Sequence, residues 1–367
     1  MKKVFLLLSI AFTMYACTDD EPEGGSPNNV SFDRGVLLAN LTDSIIIPAY
    51  EDFVGQVEDL ETAANAFTAS PEESTLTTLQ DAWLTTYTTW QRVSVFEIGP
   101  AESVGLRLNV NIYPADVTQI NENISNGAYD LSLPFNRTSK GFPAMDYLLF
   151  GEDSDEAVIT AFENSTNRQQ YLNDIVTDMN NLSTQVRDEW QEGFRDTFVD
   201  NDGSSSTASV DRIVNDYIFY YERFLRAGKM GIPGGVFSGT PAPQNIEAFY
   251  NGTISKQLFL EGLGAVQDFF NGVAYNGGAQ GESLSDYLDA LNTVKDGADL
   301  STIINNQFEE ARTAVQSLGT FTQELENNPP IAFLEAYNEV QRIVPLIKVD
   351  MVSALSISID FADADGD

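Results

Sequence analysis

The sequence predicts an all-α protein built from two helical bundles that pack together with a cleft between them. One run of apolar residues has spacings of three and four, the period of one face of an α-helix: Leu76, Leu79, Trp83, Tyr87 and Trp90. A second such run comprises Val210, Ile213, Val214, Tyr217, Tyr221, Phe224 and Leu225. Sustained alternation of apolar and polar residues, the pattern of a strand, occurs only at residues 355–359. A chain of 367 residues is long enough for about two domains.

Residues 1–16 have the pattern of a secretory signal peptide. Lys2 and Lys3 precede a short apolar stretch, residues 4–14, that is too short to span a bilayer as a mature helix. The only cysteine, Cys17, follows Ala16, and this junction resembles the lipobox of bacterial lipoproteins, in which the cysteine is lipidated. The alternative is an ordinary signal peptide with an incidental cysteine.

Residues 17–30 are predicted to form a lipidated, flexible tether. They are polar and rich in proline and glycine, without apolar periodicity. Asp19, Asp20 and Glu21 resemble the acidic export signal of surface lipoproteins in Bacteroidetes, and the alternative is a solvated linker. These residues therefore leave open whether the protein faces the cell surface or the periplasm.

The remaining chain is predicted to divide into an N-terminal helical bundle, residues 31–200, and a C-terminal helical bundle, residues 207–367. The small polar residues 201–206 mark the boundary. Within the first bundle, a helix is predicted to start near Pro71 and to stop at Gly99 and Pro100. Further helices are predicted over residues 141–151 and 167–199. Residues 228–243, rich in glycine and proline, are expected to be irregular.

Composition excludes several functions. The chain has 55 acidic and 19 basic residues, no histidine, and a formal net charge of −36. This charge repels phosphate backbones, so no nucleic-acid partner is expected. Without histidine there is no Ser-His-Asp triad and no zinc–histidine site. A single cysteine excludes an intrachain disulfide. Carboxylate chemistry, binding of hard cations, and binding or structural roles remain.

Four stretches of the chain carry a family resemblance. They are WLTTYTTWQRVSVFEIGP at 83–100, GFPAMDYLLFG at 141–151, GKMGIPGGVFSG at 228–239 and the C-terminal stretch at 346–367. Together they resemble the imelysin family of bacterial envelope proteins, which is classed with the M75 metallopeptidases. The resemblance implies two helical bundles with a site between them, an association with iron or other metal uptake, and peptidase activity in some members.

The family motif G-x-H-x-x-E is altered here. The resemblance places Gly141, Pro143 and Asp146 at its three positions, so proline replaces the histidine and aspartate replaces the glutamate. Proline suits the first turn of a helix. Asp146 is either a capping or bridging aspartate or an altered metal ligand. The loss of the histidine argues against peptidase activity.

Four residues are candidates for a metal or ligand site: Glu97, Asp146, Arg92 and Lys229. Glu97 lies seven residues beyond Trp90, on the same aromatic face of the predicted helix, and the resemblance implies that it lines the site between the bundles. A carboxylate there could bind a cation or act as a general base. The alternative is a buried salt bridge with Arg92 or an arginine of the second bundle. Lys229 is expected to contribute a polar group to the cleft. No catalytic residue is predicted.

The leading hypothesis is a non-enzymatic binding component of the cell envelope that is linked to iron or metal uptake. It would be anchored to the outer membrane through lipid on Cys17 and would act with iron-uptake partner proteins. The cofactor stays unidentified, with iron or another hard cation as the candidate. Two alternatives remain: a degenerate or carboxylate-only M75-type metallopeptidase, and a surface module that binds another protein.

Overall fold

Helices form nearly all of the regular structure in the computed structural model, which describes residues 32–275 and 277–361. The α-helices are α1 (Arg34–Asn40), α2 (Ile47–Ala69), α3 (Glu73–Val93), α4 (Pro100–Val104), α5 (Leu106–Val110), α6 (Val117–Asn126), α7 (Gly141–Phe150), α8 (Asp155–Glu163), α9 (Thr166–Glu189), α10 (Arg195–Asp200), α11 (Ser209–Phe219), α12 (Ser255–Phe270), α13 (Leu284–Ala290), α14 (Leu300–Gln316), α15 (Phe321–Leu325), α16 (Ile331–Gln341), α17 (Ile343–Pro345) and α18 (Val352–Leu355). The all-α prediction is confirmed.

The remaining elements are short or connect these helices. Four π-helical segments occur at Leu41–Ile46, Trp190–Phe194, Tyr220–Gly231 and Leu346–Met351, and two 3-10 helices at Pro134–Ser139 and Pro243–Asn245. Two-residue strands β1 (Val294–Lys295) and β2 (Ala298–Asp299) pair antiparallel. This small hairpin has no counterpart in the predictions from sequence.

The helices pack against one another along the described chain. Helix α2 packs against both α3 and α9, while α7 and α8 pack against α3. Helix α14 packs against α12 and α16, and α12 also packs against α3. The described chain from Phe32 onward is one compact unit. The proposed boundary between residues 200 and 207 stays a prediction.

Helix α3 forms where its apolar spacing predicted it. Glu72 and Thr75 close a capping box at its N-terminus, which satisfies backbone groups that a helix end leaves free. Trp83, Tyr87 and Trp90 are almost fully buried. The Tyr87 ring stacks on Phe142 of α7, with centroids 4.2 Å apart and planes 3° apart. This stacking fixes α7, which carries the altered motif, against α3.

Helix α3 ends at Val93, six residues before the predicted stop at Gly99. Residues 94–99 form a turn and a short irregular stretch, whose backbone groups bond to residues distant in sequence. For example, the Tyr50 hydroxyl donates to the Phe96 carbonyl oxygen at 3.0 Å. The prediction that Glu97 continues the aromatic face of the helix is therefore wrong. The segment predicted to be irregular at residues 228–243 begins later than predicted, because the helical segment from Tyr220 continues to Gly231.

Replacing Gly141 with alanine is expected to cost about 1–3 kcal/mol of unfolding free energy. Gly141 has a φ of +69°, and a Cβ there would lie 2.0 Å from the Val110 carbonyl oxygen, so backbone would have to move. Urea unfolding would measure the change. Gly55→Ala in α2 is the control: nothing lies within 4 Å of its added Cβ, so we expect a gain of about 0.5–1 kcal/mol. Equal effects of the two substitutions would contradict this account.

Candidate functional site

Glu97 lies on the turn that follows α3, with 15% of its side chain exposed. Its Oε1 accepts the backbone N–H of Arg107 at 2.7 Å, and its own backbone N–H donates to Asp216 Oδ2 at 2.5 Å. Arg107 belongs to α5 and Asp216 to α11. The turn therefore joins two helices that are far apart in sequence.

Arg107 is the buried cation of this cluster, with 3% of its side chain exposed. Its Nη1 and Nη2 donate to the two carboxylate oxygens of Asp216 at 2.7 and 2.9 Å, the paired geometry that a guanidinium favours. Its Nε donates to the Ser94 carbonyl oxygen at 2.6 Å, and its Nη1 lies 3.5 Å from Glu97 Oε2. The arginine that meets Glu97 is thus Arg107, within residues 31–200, and the suggested pairing with Arg92 or an arginine of the second bundle is wrong.

Burial raises the pKa of the Glu97 carboxyl to about 7. The charge and the backbone N–H of Arg107 act in the opposite direction and lower this pKa, whereas the neighbouring carboxylates of Asp216 and Glu102 raise it further. Desolvation and the nearby negative charges therefore both raise the pKa of Glu97. A carboxyl that titrates near neutral pH can accept or donate a proton.

A pocket of about 240 Å³ opens beside Glu97. Charged and polar side chains line it with three apolar ones: Glu97, Glu102, Arg107, Arg212, Asn215, Asp216, Asp360, Ile98, Phe219 and Phe361. Arg212 pairs with Glu102 at 2.5 Å near the surface. The arrangement can hold a small polar molecule.

Glu97→Gln is expected to flatten the pH dependence of stability. The folded state holds the Glu97 proton more tightly than the unfolded chain, whose carboxyl has an ordinary pKa of 4.5. The carboxyl therefore lowers stability as pH rises from 4.5 through about 7. Between pH 5 and pH 8 the wild type should lose about 1–3 kcal/mol more unfolding free energy than the variant. Parallel profiles from urea unfolding would contradict this.

Lys229 lies in a separate, fully buried network. Its ammonium pairs with Glu247 and donates to Gln91 Oε1 at 2.7 Å. Glu247 Oε1 accepts from Gln91 Nε2 at 3.2 Å and from Asn111 Nδ2 at 2.8 Å, and the Tyr87 hydroxyl donates to Asn111. Burial lowers the pKa of Lys229, and the Glu247 carboxylate opposes that shift. The adjoining cavity holds only about 20 Å³, the space of about one water molecule.

Arg92 lies apart from these groups. Its guanidinium pairs with Glu261 and, at 3.2 Å, with Asp268, both on α12. About 30% of its side chain is exposed. The structure therefore places it in the contact between α3 and α12, away from Glu97.

Asp146 lies on α7 and is 2% exposed. Its Oδ2 accepts the backbone N–H of Tyr250 at 2.8 Å, and its Oδ1 accepts that of Asn251 at 2.9 Å. Burial raises the pKa of this carboxyl to about 7, against the two hydrogen bonds, which lower it. The aspartate thus bridges α7 to the segment that follows the 3-10 helix Pro243–Asn245.

A second pocket, of about 200 Å³, lies at the altered motif. Mostly apolar residues line it: Tyr113, Pro114, Ala115, Pro143, Asp146, Gln244, Ile246, Ala248, Phe249 and Tyr250. Glu97 and Asp146 therefore line different pockets.

The residues at this motif do not fit a bound metal ion. Pro143 has no side-chain ligand atom, and Asp146, each of whose oxygens already accepts one backbone N–H, is the only acidic residue that lines the pocket. Within residues 32–275 and 277–361, no three or more Asp, Glu, His or Cys side chains are grouped to hold a metal ion. Tyr217 and Tyr221 do not line this pocket, and their hydroxyls donate to the carbonyl oxygens of Val266 and Val340.

The sequence analysis missed Arg107, Asp216 and Glu247. Arg107 and Asp216 are 109 residues apart, so no local spacing connects them. The available signal was the scarcity of cations: only 19 basic residues can pair with 55 acidic ones, so each arginine or lysine is a candidate partner for a buried carboxylate. Cys17 lies outside the described residues. No helix in the described part of the chain is long and apolar enough to cross a membrane.

A family model and a few known proteins are similar to this chain. The model of the imelysin (peptidase M75) family matches residues 46–343. Iron-regulated protein A of Synechococcus elongatus is 23% identical over 155 residues, which are 42% of this chain and 40% of that protein. The match thus spans about two fifths of that relative.

Two solved structures share the fold. An imelysin-like protein of Psychrobacter arcticum superposes with a TM-score of 0.68 at 16% identity, over 90% of this chain and 97% of that one. A Parabacteroides distasonis protein, assigned as an iron-regulated protein A precursor, gives a TM-score of 0.71 at 18% identity with the same coverage.

Proposed function

The chain belongs to the imelysin family, and we propose that it is a non-enzymatic binding protein of the bacterial cell envelope that acts in iron acquisition. The family and the names of two relatives, both iron-regulated protein A, support the link to iron. The signal-peptide pattern of residues 1–16 and the lipobox-like Cys17 support an envelope protein held by a lipid anchor on the outer membrane.

One observation carries the non-enzymatic part of the proposal. At the motif position, the residues that would hold a metal are replaced by a proline and by an aspartate whose oxygens both accept backbone N–H groups. A pocket of about 200 Å³ lies beside these residues. A pocket without a ligand set for a catalytic metal favours recognition of a molecule over its cleavage.

Growth of a deletion strain tests the link to iron. We expect the strain to grow more slowly than its parent when a chelator limits iron, and equally well when iron is plentiful. The wild-type gene should restore growth. Cys17→Ala should restore it less and should leave the membrane fraction, since an acidic chain has little affinity for anionic lipid. A defect that is independent of iron, or no defect, would contradict the proposal.

A cleavage assay tests the absence of enzymatic activity. The purified chain should not digest an unfolded protein substrate above background, with or without added Zn²⁺, Fe²⁺ or Ca²⁺. Chelator-sensitive cleavage that Glu97→Gln abolishes would instead favour the alternative of a carboxylate-only hydrolase, because the Glu97 carboxyl, with a pKa of about 7, can act as a general base.

A further inference from the structure

Asp146 is a buried carboxylate without a cationic partner. It is 2% exposed, and its partners are the backbone N–H groups of Tyr250 and Asn251. Within the described residues no lysine or arginine pairs with it, whereas the buried Glu247 and the partly buried Asp216 each have one. Burial raises the pKa of this carboxyl to about 7, and buried charges in proteins are normally paired, so a bound cation would stabilise its charged form.

The pocket beside Asp146 has aromatic walls. Tyr113, Phe249 and Tyr250 line it, and the rings of Phe249 and Tyr250 lie 5.2 Å apart at 75°. The faces of aromatic rings carry negative potential and attract cations within about 6 Å, and alkylammonium groups are bound in aromatic cages for this reason. Phe249 is 37% exposed, so the aromatic wall reaches the surface.

The other residues that line the pocket offer no basic group to an anion, and the volume of the pocket suits a small ligand. Apart from Asp146, the lining residues are apolar or aromatic except Gln244, and none of them is basic. The formal net charge of −36 also raises the local concentration of cations. A volume of about 200 Å³ suits a head group of a few heavy atoms more than a large molecule.

We propose that this pocket binds a small organic cation of the alkylammonium class, with the Asp146 carboxylate as counter-charge and the rings of Tyr113, Phe249 and Tyr250 as walls. The inference deepens the proposed binding role and rests on it, but it is independent of the link to iron. The ligand supplies the positive charge that the protein does not place beside Asp146.

Calorimetric titration with choline tests the charge requirement. Its neutral isostere, 3,3-dimethylbutan-1-ol, has the same shape without the positive charge and is the matched control. We expect saturable binding of choline and at least tenfold weaker binding of the alcohol. Equal affinity for the two compounds, or no saturable binding of choline, overturns the inference. A growth defect confined to iron limitation would then leave the proposed function standing.

Two variants test the named residues. Phe249→Leu keeps an apolar, partly exposed side chain but removes a ring face, so choline affinity should fall about threefold to tenfold. Asp146→Asn should abolish choline binding. Phe135→Leu and Asp153→Asn replace exposed residues outside the pocket and should bind as the wild type does. Unchanged affinity in Phe249→Leu, which should fold normally, overturns the inference even if Asp146→Asn fails to fold.

Discussion

Replacing Arg107 with leucine is expected to lower the free energy of unfolding by about 3–5 kcal/mol. The side chain is 3% exposed and pairs with both oxygens of Asp216. Its removal leaves the carboxylates of Asp216 and Glu97 without their guanidinium, and it also leaves the Ser94 carbonyl oxygen without its donor. An unpaired charge in a buried position costs far more than a surface ion pair contributes. Urea unfolding of the purified chain gives the change directly.

Arg212→Leu is the matched control, because Arg212 lines the same pocket. Its pair with Glu102 is exposed, at 47% and 57% of the two side chains, and should contribute about 1 kcal/mol or less. The account predicts a clear separation between the two variants. If Arg107→Leu costs no more than Arg212→Leu, the cluster of Arg107, Asp216 and Glu97 does not stabilise the fold in the way described.

Lys229→Met should also lower the free energy of unfolding by about 3–5 kcal/mol, because it removes one partner of a buried ion pair. The side chains of Lys229 and Glu247 are 4% and 1% exposed. Methionine leaves the Glu247 carboxylate buried and unpaired, although Gln91 and Asn111 still donate to it. Lys229 should therefore affect stability, and its loss should change ligand binding only through the fold.

The double variant Lys229→Met/Glu247→Gln separates charge from packing. A neutral glutamine needs no counter-charge, so the double variant should recover at least half of the stability lost in the single one. Lys295→Met is the surface control: its pair with Asp350 is 35% and 27% exposed and should contribute about 1 kcal/mol or less. A double variant no more stable than Lys229→Met would indicate that packing, and not the unpaired charge, dominates.

Periodicity predicted the helices well where packing follows spacing. The face of α3 from Leu76 to Trp90 is buried as the pattern indicates, and α7 begins at Gly141 as expected. The end of α3 was less predictable. Backbone groups of residues 94–99 form hydrogen bonds with side chains from other parts of the chain, those of Tyr50, Arg107 and Asp216. Tertiary hydrogen bonds, and not the Gly99-Pro100 pair, end the helix.

The candidate site was only partly predictable for a related reason. Sequence could identify Glu97 and Asp146 as carboxylates in unusual positions, but their surroundings depend on contacts over a hundred residues away in the chain: Glu97 with Asp216, and Asp146 with Tyr250. The same limit applies to Lys229, which was expected in the cleft and lies buried against Glu247. Residue type predicts possible chemistry, whereas the fold decides which partners are present.

The central claim is that the altered motif forms a binding pocket without a metal centre. Its most direct test is the metal content of the chain purified from iron-replete cells, measured by mass spectrometry for the wild type and for Asp146→Asn. We predict well below one ion of any metal per chain, with no difference between the two proteins, because Pro143 has no side-chain ligand atom and Asp146 is the only carboxylate that lines the pocket. One metal ion per chain that is lost in Asp146→Asn would contradict the account.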